Sequence, residues 1–300
     1  MDADAELLDP AFLDRLRALV VKLRRRRRQR KQGAQQTPVS GHTREFKDRR
    51  HYAHGDDYRS IDWRLYARLD RMMVRVFEEV QEFHVHILLD RSASMQAPHA
   101  EKRRDALRLA VALGYLTLAG GHRLSLHTLG GGDCRRELPP LKGQGHVHSL
   151  IRHAVRIPFG GPGDLGAALG RFRAGGDRRG MVFILSDLLG GDPDATQDAL
   201  RCVRSWPAES HIVHLLHPLE LDPGHDGEVR LADVETGELR RLWLTAADLA
   251  RYRARIAGWR EALRAACAGW QVDWCAWDTQ QPFEDQFVGF LARADALAGR

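Results

Sequence analysis

No run in this chain stays apolar for the ~20 residues that a membrane-spanning helix requires, so no bilayer span is expected. The opening residues MDADAELLDP are acidic where a secretory leader would be basic, which argues against export. Cysteine is scarce: Cys134, Cys202, Cys267 and Cys275 are widely spaced and form no CxxC pair, which excludes a thiolate zinc knuckle or a dithiol redox centre. Four such thiols read as small buried hydrophobes in a reducing cytoplasm. Two common catalytic signatures are also missing. There is no GxxxxGK(S/T) phosphate loop, and neither Ser92 nor Ser94 sits in a GxSxG elbow with an orienting histidine. No internal repeat is visible.

What charge there is, is unevenly spread. The formal net charge is +6, yet KLRRRRRQRK at 22–31 alone carries eight positive charges, which leaves the rest slightly acidic. This run is basic enough to meet nucleic-acid phosphates or an anionic membrane surface without any fold, and it equally reads as the solvated end of a helix. It lacks the interleaved aromatics of a single-strand binding platform, so nucleic acid is the least favoured of the three. Before it, Leu7, Leu8, Leu13, Leu16, Leu19, Val20 and Leu23 recur at helical spacing behind an Asp9–Pro10 start, predicting an amphipathic helix over 5–24. QGAQQTPVSGH after it has the composition of a flexible joint.

Three segments follow from these shifts: 1–42, helix, basic run and linker; 43–82, where aromatics alternate with dense charge; and 83–300. The last segment alternates short apolar strands (VHILLD, RLSLHTL, MVFILSD, HIVHLLHP, QVDWCAW) with helical stretches. That alternation predicts an α/β fold, a doubly wound, mainly parallel Rossmann-like sheet with helices on both faces. EVRLADVETGELRRLWL reads as a hairpin closed around Thr236 and Gly237. Segment 43–82 is expected to supply short helices and a strand packed on the main domain, with Tyr52 and Trp63 as anchors. Trp206, Trp243, Trp259, Trp270, Trp274 and Trp277 are expected in core or interface.

In open α/β sheets ligands sit beyond the carboxyl ends of the strands. Two acid-bearing turns fall there, LLDRSASM and ILSDLLG. They offer Asp90, Ser92 and Ser94 at alternate positions and Asp187 opposite, all hard oxygen donors that suit Mg2+ or Mn2+ with water completing the shell. Asp and Ser in such turns also cap helices, so the spacing alone leaves both roles open. His84 with His86, and His146 with His148, lack an evident third ligand and read as ordinary histidines.

DRSASM after an apolar strand, a Gly-rich loop before an AAL helix, and SD after a later strand resemble the metal-ion-dependent adhesion site of von Willebrand A-like domains. The resemblance implies a divalent ion and a threonine ligand in the Gly-rich loop. Here that loop reads FGGPGDLGAAL, with Gly163 at the threonine position; either Asp164 next to it supplies an oxygen, directly or through water, or the site is weakened. A second resemblance lies in GHTREFKDRRHYAHGDDYRSIDWRLYARLDRMMVRVFEEV. It is similar to the bacterial family called domain of unknown function 58, on Glu45 and Phe46, Arg50 and Tyr52, Gly55, Asp56 and Asp57 with Arg59, Ile61, Asp62 and Trp63, and Ala67 with Arg68. That family has no established activity. The resemblance implies a MoxR-type AAA+ ATPase as partner and a non-enzymatic, cytoplasmic adaptor that contacts client proteins. Read without the family, Asp56, Asp57 and Asp62 face Arg49, Arg50, Arg59, Arg64 and Arg68 as an ion-pair network. A basic-segment nucleic-acid or membrane binder is the alternative function. A metal-assisted hydrolase is the third.

Overall fold

The computed structural model describes residues 12, 14–16, 18, 44–53, 55–79, 83–175, 180–189 and 193–297. The basic run 22–31 and the linker 32–42 lie outside them. The chain divides into two units, one of residues 1–25 with 84–300 and one of residues 26–83.

In the smaller unit β1 (Arg44–His51) pairs antiparallel with β2 (Met73–Glu79), and the chain between them carries α1 (Trp63–Leu69). Two strands form here, where the sequence suggests one. Asp62 caps α1 by accepting from Leu65 N at 3.2 Å and pairs with Arg49 Nε at 3.1 Å. Arg50 grips Asp56 through both guanidinium nitrogens, at 2.7 and 2.5 Å, and Asp57 accepts from Arg59 N. Gly55, at φ 103°, makes the turn between these acids possible. The charged motif therefore works locally, as caps and a bidentate pair. Trp63 is not a buried anchor: it is 54% exposed and meets Tyr66 edge-on.

The larger unit holds a six-stranded sheet in the order β10-β7-β6-β3-β4-β5. Its strands are β3 (His84–Asp90), β4 (Arg123–Gly130), β5 (Asp133–Lys142), β6 (Gly180–Ser186), β7 (Ala208–Leu216) and β10 (Asp273–Asp278). All neighbours are parallel except β5, which returns antiparallel along β4. Helices α2 (Ala100–Ala119), α3 (Val147–Val155) and α8 (Phe283–Leu297) cover one face; α4 (Leu165–Ala174), α5 (Pro193–Arg201) and α7 (Ala246–Gly269) cover the other. This is the doubly wound α/β arrangement the alternation predicts.

Strand periodicity explains why the strands read as continuous apolar runs. Ile87 and Leu89 of β3 join the core under α2, while Leu88 between them joins the core under α4. Phe183 and Leu185 against Val182 and Ile184 in β6 divide the same way. Each fully buried side chain of this kind contributes ~1.5–3 kcal/mol. The N-terminal helix is part of this core. Phe12 and Leu16 are buried, and Phe12 packs edge-on against Phe283 at 5.4 Å. Among the tryptophans, Trp277 and Trp206 are buried, whereas Trp243 is 74% exposed on the hairpin β8 (Gly227–Ala232) and β9 (Leu239–Leu244). All four cysteines are free thiols.

Candidate functional site

The site forms where β3 and β6 end side by side, because parallel strands deliver their C-terminal turns to one edge of the sheet. Asp90 is the last residue of β3. Its Oδ1 accepts from Ser92 N at 2.9 Å, and its Oδ2 accepts from the Ser186 hydroxyl at 2.6 Å. Ser92 and Ser94 Oγ stand 3.1 Å apart, and all three residues are buried. The DRSAS turn thus brings one carboxylate and two hydroxyls to one point, as its alternate spacing predicts.

The Gly-rich loop is clamped against this turn by backbone bonds. Gly160 N donates to Arg91 O at 2.8 Å, Ala93 N to Gly161 O at 2.9 Å, and Gly131 N to Pro162 O at 2.8 Å. Gly160 at φ 142° and Gly161 at φ 82° are the positions where this path requires glycine. Asp164 is exposed and caps α4 through Ala167 N at 3.0 Å, on the rim of a cavity of about 150 Å3 whose wall includes Asp90. Gly163 lines the same cavity.

Asp187 follows β6 and is buried. One of its oxygens accepts from Leu189 N at 3.1 Å, and the other meets Lys102 Nζ at 2.8 Å. Lys102, 0% exposed, also pairs with Glu220. Burial alone would lower the Lys102 pKa, but Asp187 and Glu220 outweigh it and hold the ammonium above its ordinary value. Lys102 lies in the first turn of α2, where the helix dipole disfavours a cation, so its carboxylate partners have to overcome that placement too. Behind Asp187, His214 Nε2 donates to the Asp187 carbonyl at 2.9 Å. Complete burial depresses the His214 pKa to about 4, so the imidazole is neutral.

These donors fit a divalent ion. Burial, and then the charge of nearby Asp187, push the Asp90 carboxyl up to about 6, the signature of two buried carboxylates sharing too little positive charge. A hard cation on Asp90, Ser92 and Ser94 would supply it. Asp187 is already half-neutralised by Lys102, so it faces such an ion from a shared position.

Sequence reasoning missed Lys102, Ser186, Glu220 and His214. Only Lys102 leaves a local signal, a basic residue in the first turn of a helix that follows an acidic strand end. A second polar cluster was also missed. His99, Glu101 and His217 bring ligand atoms within 4.8 Å of one another. The His99 and His217 rings stack at 3.7 Å, and His217 Nδ1 accepts from Leu219 N at 3.2 Å. That bond places the His217 proton on Nε2, so the ring has no spare lone pair, and the cluster reads as a stacked pair that caps the one-turn helix α6 (Pro218–Leu221).

Among known proteins, the chain is 29% identical to the uncharacterized protein Rv1480 of Mycobacterium tuberculosis over 257 residues, 83% of this chain and 79% of that one. Two solved structures are among those that it matches in part. The conserved hypothetical protein BatB of Bacteroides thetaiotaomicron has 13% identity and a TM-score of 0.42, over 73% of this chain and 100% of its own. The SpRpn10 VWA domain has 13% identity and a TM-score of 0.38, over 69% and 94%. No helix among the described residues is long and apolar enough to cross a membrane. The family model for "Protein of unknown function DUF58" matches residues 48–262, and the chain belongs to that family.

Proposed function

We propose that this protein is a metal-dependent protein-interaction module rather than an enzyme, acting in the cytoplasm with a MoxR-type AAA+ ATPase and its client proteins. The observation that carries the reading is the convergence of Asp90, Ser92 and Ser94 at the sheet edge, with Asp90 short of positive charge. Mg2+ or Mn2+ bound there would offer a partner's carboxylate a point of attachment. The protein's own groups do the positioning. Ser92 N and Ser186 Oγ fix both oxygens of Asp90, and Lys102 fixes one oxygen of the buried Asp187. A binding role is favoured over hydrolysis because Ser92 Oγ faces Ser94 Oγ instead of a histidine base.

The test is a pull-down with a MoxR-type AAA+ ATPase, in Mg2+ and in EDTA, with wild type and Asp90→Ala. Association should require the ion and fail in the variant. Undiminished binding in EDTA would move the partner surface away from the site.

A further inference from the structure

The hairpin β8–β9 stands apart from the core, with Leu231, Leu239, Leu242 and Trp243 exposed along it. Its turn is nonetheless precisely built. Asp233 Oδ1 accepts from Glu235 N at 2.8 Å and Thr236 N at 2.9 Å, Gly237 N donates to Asp233 O at 2.8 Å, and Gly237 takes φ 74°. A turn locked at 233 and 237 aims the side chain between them. Glu235 reaches the Gly-rich loop, where its Oε1 accepts from Gly163 N at 3.0 Å. This is the loop position at which the resemblance to von Willebrand A-like domains implies a hydroxyl ligand and this chain has none. Burial is the main cause that raises the Glu235 pKa; the Gly163 N–H bond acts against it, and Asp233 and Asp187 add smaller upward contributions.

We infer that Glu235 is this chain's own carboxylate for the cation site, closing from the Gly163 side an ion held by Asp90, Ser92 and Ser94. The inference rests on the metal reading above and adds to it. A tethered group competes at an effective concentration in the ~mM range, so a partner's acidic side chain gains the position only when the hairpin lifts.

The experiment is Mn2+ titration by calorimetry, with amide hydrogen exchange of residues 233–238 with and without Mn2+, on wild type, Asp90→Ala and Glu235→Gln. Glutamine is chosen because its amide oxygen still accepts the Gly163 N–H, so a purely structural pin survives the change while the charge does not. Glu235→Gln should weaken Mn2+ binding by about tenfold or more and abolish the slowing of exchange that Mn2+ produces in wild type. Asp90→Ala should bind no Mn2+. Wild-type affinity and protection in Glu235→Gln, with Asp90→Ala inactive, would overturn the role of Glu235 and leave the metal reading standing. No Mn2+ uptake by wild type would overturn both.

Discussion

Replacing Lys102 by Met keeps the length of a side chain that is 0% exposed but removes the ammonium shared by Asp187 and Glu220. Asp187 is 1% exposed and cannot recover its hydration, so the variant is left with a buried acid facing Asp90, another buried acid. Breaking a buried pair by removing one partner costs ~3–5 kcal/mol. Against a total stability of ~5–15 kcal/mol that loss is large but survivable. Urea denaturation at pH 7 of wild type, Lys102→Met, Glu220→Gln and the double variant measures it. The two single losses should exceed the double by at least ~1 kcal/mol, because Glu220→Gln removes part of the uncompensated charge. A divalent ion at about 100 times its Kd adds ~2.7 kcal/mol of stability. Mg2+ should therefore recover more in Lys102→Met than in wild type, where the ammonium already serves Asp187. A loss below ~1 kcal/mol, additive with Glu220→Gln, would refute the reasoning.

Asp90 and His214 should give opposite pH dependences. Asp90, raised from 3.8 to about 6, contributes stability that is full below 3.8 and lost as pH rises through 6; His214, lowered from 6.5 to about 4, contributes stability that is full above 6.5 and lost as pH falls through 4. Each amounts to about 3 kcal/mol, so they offset in wild type. Asp90→Asn should become more stable from pH 4 to 6.5 and His214→Phe less stable from pH 4 to 6, and denaturant midpoints of the same slope in both would contradict this. Gly163→Thr should tighten Mn2+ binding and restore part of the affinity lost in Glu235→Gln. Weaker Mn2+ binding by calorimetry would show that position 163 does not face the ion.

The central strands were legible because burial on both faces makes them continuous apolar runs, and the DRSAS turn because its oxygen donors lie within five residues. β5 was not legible. DCRRELPPLK carries adjacent Pro139 and Pro140, which an interior strand excludes and an edge strand tolerates. Helices α3 and α8 likewise went unremarked. Lys102 reads in EKRR as one more solvated cation, and its burial depends on carboxylates 85 and 118 residues away. Glu235 reads as a turn residue, and its bond to Gly163 spans 72 residues. Long-range pairings of this kind come from topology, which local spacing does not encode.

The contact between Phe12 and Phe283 joins a helix that precedes the unit of residues 26–83 to a helix that follows the central sheet, so that unit is inserted within the sequence of the larger one. During synthesis Phe12 leaves the ribosome well before Phe283, its partner on α8. The larger unit therefore cannot close its core until α8 has been made, while the inserted unit, whose strand pairs are local, can form long before. In the interval Phe12 lacks its edge-on partner Phe283, and a truncation that removes Phe283, Phe287 and Phe290 would leave that part of the core open. Such a product would meet the cell's proteases as an open chain, which couples the abundance of the protein to completion of α8.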